Sequence, residues 1–314
     1  MSVIRVCFLG TPDFAATHLK AMLEDDHYQI VGVITQPDRP AGRSLKLTPS
    51  PVKVLALAHQ LNVLTPEKLS TDEAALTQLK EWNAEIGVVV AYGQILKQHV
   101  LDLFPLGAVN VHGSLLPKWR GAAPIQRSLE AGDSVTGVAL QKMVLKLDAG
   151  AVIGERKLQL DEKINSVELY EKLAHMGCEL IRLELMDYIK GNLVPIEQDE
   201  AEVSVAKKIT KEEAKINWGK PALKIHNQVR GFAIGPGSFG FFQSKRIKFH
   251  RTFYKTSGTK GNPGETTTVG ANSFFISTGD GQLEVLELQP ESKPKMTAEQ
   301  FIKQVSLKTG DRFE

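Results

Sequence analysis

Residues 108–127 read AVNVHGSLLPKWRGAAPIQR. Ala108-Val109-Asn110-Val111-His112 alternates in the manner of a β-strand, which puts Asn110 and His112 on one side, two residues apart. A neutral amide and a titratable imidazole then face a common space. The run breaks at Gly113 and enters a loop with Pro117, and Gly121-Ala122-Ala123-Pro124 opens a helical stretch that closes at Gly132. Strand, loop and helix in that order make the usual ligand edge of an open α/β sheet. Alone, Asn110 and His112 could equally finish an edge strand with no further role.

A third residue argues against the blander reading. Asp148 lies in Lys146-Leu147-Asp148-Ala149-Gly150, a turn between two strand-like runs, Val135 to Lys142 and Ala151 to Leu160. An amide donor for a developing oxyanion, an imidazole for proton traffic and a carboxylate beside it suit acyl transfer. No nearby Ser or Cys carries the local signature of a covalent nucleophile, so the attacking group is expected from the substrate.

The rest of the chain bounds these readings. Its 314 residues suffice for two domains, and 42% apolar and 24% charged side chains are ordinary for a soluble protein. No run approaches a membrane span, and Met1-Ser2-Val3-Ile4-Arg5 reads as a first strand rather than a signal peptide. The expectation is a cytoplasmic protein with no membrane partner. Cys7 and Cys178 read as core thiols, and no His, Cys or Asp cluster has metal-ligand spacing. The net charge of +2 is unevenly shared. Residues 206–314 hold 18 Lys and Arg against 10 Asp and Glu, and within 206–260 the ratio is 13 to 2. Such a basic tail suits a polyanionic partner, with a merely solvated basic face as the alternative.

Taken in order, Val3 to Leu9 is a strand buried on both faces, and Gly10-Thr11-Pro12-Asp13 leads into a helix. One glycine there does not make a dinucleotide-binding loop. A strand over Ile30 to Thr35 precedes the long, basic, Pro-rich loop Gln36 to Pro51, which contains Arg43 and Lys46. Helices follow over Val52–Leu61 and Asp72–Trp82, with a short strand at Val63-Leu64, then a buried strand from Ile86 to Ala91 ending in Tyr92-Gly93. Strands alternating with helices predict a parallel, doubly wound, Rossmann-like sheet. It brings Tyr92-Gly93 close to Asn110 and His112, although Tyr92 could be a rim aromatic with no role. A long helix spans Ser166 to Ile189, and Val194 to Val205 has the composition of a crossing linker. Beyond it, a helix over Pro221–Phe232 and short strands separated by turns such as Gly279-Asp280-Gly281 fit a small antiparallel barrel. The division expected is 1–190, a linker at 191–208, and 209–314.

NVHGSLLPKWRGAAPIQRS from Asn110, GTPDF from Gly10, QPDRPAGR from Gln36, PSPVK from Pro49, VVVAYG from Val88, LDAG from Leu147 and KKITKEEAKINW from Lys207 are similar, in order, to the methionyl-tRNA formyltransferase family. The resemblance implies a Rossmann-like formyltransferase domain followed by an OB-fold β-barrel that binds tRNA. It also implies 10-formyltetrahydrofolate as donor and methionyl-tRNA on the initiator as acceptor. Carried over by position, it makes Asn110, His112 and Asp148 the catalytic set. Ser114, Leu115, Leu116 and Pro117, with Tyr92 and Gly93, would contact folate. Arg43 and Lys46 on the long loop, and Lys207, Lys208 and Lys211 in the tail, would contact tRNA. Two stretches depart from the family pattern. Ala149-Gly150-Ala151-Val152 stands where a T-G-D-M type of turn is expected, and Phe232 to Gly237 lacks an N-P-W-P segment.

On this reading a neutral amine attacks the formyl carbon, Asn110 and His112 donate to the oxyanion, and Asp148 orients His112 and helps take the proton through water. The chain would act as a monomer and need no metal. Two rivals are a formyltransferase for a small amine, which would need neither basic segment, and a non-enzymatic RNA-binding protein on the same fold, which would have no use for the three site residues.

Overall fold

The computed structural model describes residues 3–41, 46–258 and 261–314. Its contacts divide the chain into two units. The first comprises 1–124, 135–158 and 170–205, and the second 125–134, 159–169 and 206–314.

The first unit begins with β1 (Ile4–Gly10), α1 (Asp13–Leu23) and β2 (Tyr28–Ile34). The expected long loop carries two short antiparallel strands, β3 (Arg39–Ala41) and β4 (Lys46–Thr48), paired Arg39 to Thr48 and Ala41 to Lys46. It ends where Ser50 caps α2 (Pro51–Ala58) by accepting from the Lys53 backbone N–H, with Pro at the first helical position. Then come β5 (Val63–Leu64), α3 (Glu73–Glu81), β6 (Ile86–Val90), α4 (Gln98–Leu101), β7 (Ala108–His112), β8 (Arg120–Gly121), α5 (Pro124–Ala131), β9 (Val135–Lys142) and β10 (Val152–Gln159).

Seven strands form one sheet in the order β10-β9-β7-β6-β1-β2-β5. From β5 to β7 neighbours run parallel, and β9 joins β7 antiparallel. The central strands are buried along nearly their whole length, which is why they read as unbroken apolar runs. Strand order reverses between β1 and β6, so the carboxyl ends of β1, β6 and β7 open on one edge, the position of ligand crevices in such sheets. Thr11 Oγ1 donates to the Tyr92 carbonyl at 2.9 Å and ties two of those ends together. Cys7 is fully buried in β1, and burial pushes its thiol far above the reactive range. The helix expected over Ser166–Ile189 is present as α6 (Ser166–Leu180), a π-helical turn at Ile181–Leu185 and α7 (Met186–Ile189).

Residues 194–205 are not a loose crossing linker. Val152 and Ile196 exchange both backbone hydrogen bonds at 2.8 Å, and the Arg120 N–H donates to the Ser204 carbonyl at 2.9 Å, just before β11 (Val205–Ala206). The segment is strapped to the start of the edge strand β10 and to β8.

In the second unit, α8 (Ala222–Gly231) is followed by β12 (Phe239–Phe242), β13 (Lys245–Lys255), β14 (Thr266–Val269), β15 (Phe274–Ser277), β16 (Gln282–Pro290), β17 (Met296–Thr297) and α9 (Ala298–Val305). The sheet runs β12-β13-β16-β15-β14 with every pairing antiparallel. The Phe241 and Glu314 backbones exchange hydrogen bonds of 2.7 and 2.8 Å, while the Phe313 N–H reaches the Gly264 carbonyl and Thr266 reaches Asp311. Residues 311–314 thereby bridge the two edge strands and curl the sheet into an OB-like barrel. Trp218, Phe242, Phe249, Phe274 and Phe301 pack around Phe313 inside it. The α5 residues and the 159–169 loop belong to this unit: Arg230 donates to the Asp161 carbonyl at 2.9 Å, and Tyr254 donates to a Glu162 carboxylate oxygen at 2.7 Å.

Candidate active site

β7 delivers Asn110 and His112 to the open edge, where His112 is 6% exposed. Its ring Nε2 lies 2.9 Å from the Trp119 carbonyl oxygen. A carbonyl only accepts, so Nε2 carries a proton and Nδ1 is left facing the site. Trp119 can present that carbonyl because its backbone is left-handed, φ +62°, and because its N–H is held by Ser204 Oγ at 2.9 Å.

Asp148 is also left-handed, at φ +48°, a costly conformation for a residue other than glycine. Its carboxylate stays in place through two donors, the Gly121 N–H to Oδ2 at 2.8 Å and Gln141 Nε2 to Oδ1 at 3.2 Å. Oδ2 is 3.8 Å from His112 Nδ1. That distance is too long for a direct hydrogen bond, so the imidazole is oriented by Trp119 rather than by Asp148, which corrects the role expected for the carboxylate.

A cleft of about 110 Å³ adjoins these groups, lined by Asn110, Gln141 and Asp148 on one side and by Ile95, Leu96, Met143, Val144, Leu145 and Leu147 on the other. Ile95 and Leu147 are 77% and 61% exposed. Apolar side chains of this size left open beside buried polar groups are the usual wall of a small-molecule site. A larger hollow, beside Arg5, Gln29 and Trp82, lies at the amino ends of the strands, away from every polar group just described.

Residues 4–184 match the family model for formyl transferases, and residues 208–306 match the model for the formyl transferase C-terminal domain. A methionyl-tRNA formyltransferase of Bdellovibrio bacteriovorus is 54% identical over 316 residues, covering 100% of this chain and 99% of its own. This chain belongs to the methionyl-tRNA formyltransferase family. Among solved structures, the N-formyltransferase from Helicobacter canadensis, complexed with folinic acid and dTDP-3-aminofucose, superposes with a TM-score of 0.67 at 19% identity, over 94% of this chain and 100% of that one. A variant of HypX from Aquifex aeolicus gives 0.66 at 15% identity over 99% of this chain, which spans 49% of the HypX chain. These two likenesses concern the fold.

Against the family pattern, the structure brings Asn110, His112 and Asp148 together, and none of the six residues expected at folate lines the cleft. Ser114 is fully buried and its hydroxyl donates to the Lys118 carbonyl at 2.6 Å. Leu116 is buried, and Leu115 packs against Gly137. The Tyr92 ring is in the core, its hydroxyl buried without a partner among the described residues, so Tyr92 and Gly93 can offer the site only backbone. Pro117 accepts from the Ser204 N–H. Of the residues expected at tRNA, Lys46 is exposed on β4 and Arg43 lies outside the described residues. Lys207, Lys208 and Lys211 are exposed in the second unit. There Arg127 donates to the Lys207 carbonyl at 3.1 Å while pairing with Glu130 and Glu213, which fixes the backbone that presents the lysines. Sequence reasoning missed Trp119, Gln141 and Gln198. Gln141 sits directly across from Asn110 in the β7 and β9 ladder, a register the sequence does not disclose.

Among the described residues no group of three or more His, Cys, Asp or Glu is arranged to hold a metal ion, and no helix is long and apolar enough to cross a membrane.

Proposed function

We propose that this family member transfers the formyl group of 10-formyltetrahydrofolate to the α-amine of methionyl-tRNA on the initiator, yielding N-formylmethionyl-tRNA for translation initiation. The observation that carries the reading is the joint placement of Asn110, His112 Nδ1 and Asp148 beside an apolar cleft. The cleft accepts a flat heteroaromatic ring against Ile95, Leu145 and Leu147, with the formyl carbon toward Asn110.

The neutral amine attacks the formyl carbon, forming a C–N bond and an oxyanion. Asn110 donates to that oxygen, and removal of one such donor costs about a hundred to a thousandfold in rate. His112 has only Nδ1 available, since Nε2 is held by Trp119. It therefore donates to the oxyanion when the imidazole is protonated and otherwise accepts the proton leaving the amine. Asp148, 3.8 Å away, passes that proton on through a bridging water as the folate C–N bond breaks and the folate nitrogen is protonated.

Ser114, Leu115, Leu116 and Pro117, with the backbone of Tyr92 and Gly93, form the outer support of the donor site. Arg43, Lys46, Lys207, Lys208 and Lys211 contact tRNA phosphates, the first two at the acceptor end, where initiator specificity resides. Catalysis belongs to the first unit, which includes residues 170–205, and tRNA docking to residues 206–314, in a monomer acting in the cytoplasm. The test is recovery of N-formylmethionine from the tRNA after mild alkaline hydrolysis of the ester. It is expected only with the formylated donor; its absence with folded protein overturns the proposal.

A further inference from the structure

The segment with the composition of a linker carries a side chain aimed at the catalytic turn. Val152 and Ile196 form an antiparallel bridge, which sets Gln198 opposite Gly150. From there Gln198 Nε2 donates to the Gly150 carbonyl at 2.7 Å and to the Asp148 carbonyl at 2.9 Å, and lies 3.4 Å from Gln141 Oε1. Its own oxygen accepts from Arg120 Nε at 3.0 Å. Arg120, itself buried, is braced by Glu200, whose second oxygen binds Lys146 on the catalytic turn. These two cations draw the Glu200 carboxyl down to about 2. The same segment holds the Trp119 N–H through Ser204, and Trp119 holds His112.

We infer that Gln198 is a positioning residue for formyl transfer, fixing the left-handed Asp148 through its carbonyl and through Gln141, and that residues 196–204 set both His112 and Asp148. The inference rests on the formyl-transfer reading above. Gln141 donates to the Asp148 carboxylate, and Gln198 holds Gln141 by its oxygen, so one amide orients both the backbone and the side chain of Asp148. A leucine at 198 fills the same volume but returns neither the donors nor the acceptor.

The experiment measures formyl transfer to charged initiator tRNA by full-length parent, Gln198→Leu, Asp148→Asn and the double variant. Gln198→Leu is expected to lower kcat by about tenfold to a hundredfold with both KM values within about twofold, because misplacing a reacting group by an ångström costs on that order. In the Asp148→Asn background the same change is expected to cost less than about twofold, since effects of residues acting as a unit do not add. Parent-like kcat for Gln198→Leu, or its full loss repeated in the Asp148→Asn background, overturns the inference. Gln198→Glu, which keeps the oxygen for Arg120 and loses the donor, checks the assignment if the leucine variant does not fold: parent-like kcat overturns it. A parent with no transfer at all contradicts the functional reading instead.

Discussion

His112 Nδ1 stands 3.8 Å from Asp148 Oδ2, while the opposite ring nitrogen is bound to the Trp119 carbonyl. The gap admits a shared water or the attacking amine, and each partner is positioned by its own backbone support. The two groups therefore flank a proton instead of forming a fixed dyad. Asp148→Asn removes the charge and turns an amide toward the Gly121 N–H or Gln141 Nε2, both donors. The expected outcome is a kcat lowered by about a hundredfold or more with little change in KM, measured by steady-state formyl transfer. A kcat within threefold of the parent would remove Asp148 from the mechanism.

The cleft beside Asn110 owes its shape to Leu147, Leu145 and Ile95, all largely exposed. If the folate ring lies against them, Leu147→Asp replaces an apolar packing face with a charge. The KM for the donor rises by about tenfold or more, while that for tRNA holds. A rise confined to the tRNA KM would place the other substrate there.

Lys207 and Lys208 are presented by a backbone that Arg127 fixes, so truncating their side chains leaves the support intact. Lys207→Ala with Lys208→Ala is expected to weaken tRNA binding and reduce the slope of log K against log salt by about 2, with folate binding unchanged. Filter binding across a salt series reads this directly, and an unaltered slope denies both lysines a phosphate.

His18 is fully buried in α1, its Nδ1–H donating to the Phe14 carbonyl at 2.7 Å, and burial lowers its pKa to about 4. Below the ordinary value of 6.5 the unfolded chain takes up a proton that the folded chain refuses. The first unit is thus at full strength above pH 6.5 and loses stability as the pH falls through the window down to 4. His18→Asn keeps the donor and cannot titrate, so its unfolding midpoint should vary less across that window. Identical pH dependences for the two proteins would contradict the assignment.

Alternation over residues 108–112 was enough to put Asn110 and His112 side by side, and a polar turn between two strand-like runs was enough to notice Asp148. The direction of the Tyr92 ring was not legible, because Ala91 is left-handed, φ +46°, which breaks the alternation of β6 and sends the ring into the core. Trp119 acts through its carbonyl, so its side chain carries no sign of the role. Gln198 looks like linker because its partners lie about fifty residues back along the chain, reachable only through the Val152 and Ile196 bridge. In the second unit, residues 311–314 have no strand pattern of their own, and they close the barrel by borrowing the edges of Phe241 and Gly264.

The most direct measurement is transfer of labelled formyl from 10-formyltetrahydrofolate to charged initiator and charged elongator Met-tRNA in parallel, with Asn110→Ala beside the parent. Efficient labelling of the initiator alone is expected, with a loss of about a hundredfold or more in the variant. Folded parent protein that labels neither tRNA, or an Asn110→Ala protein that matches it, would contradict the account.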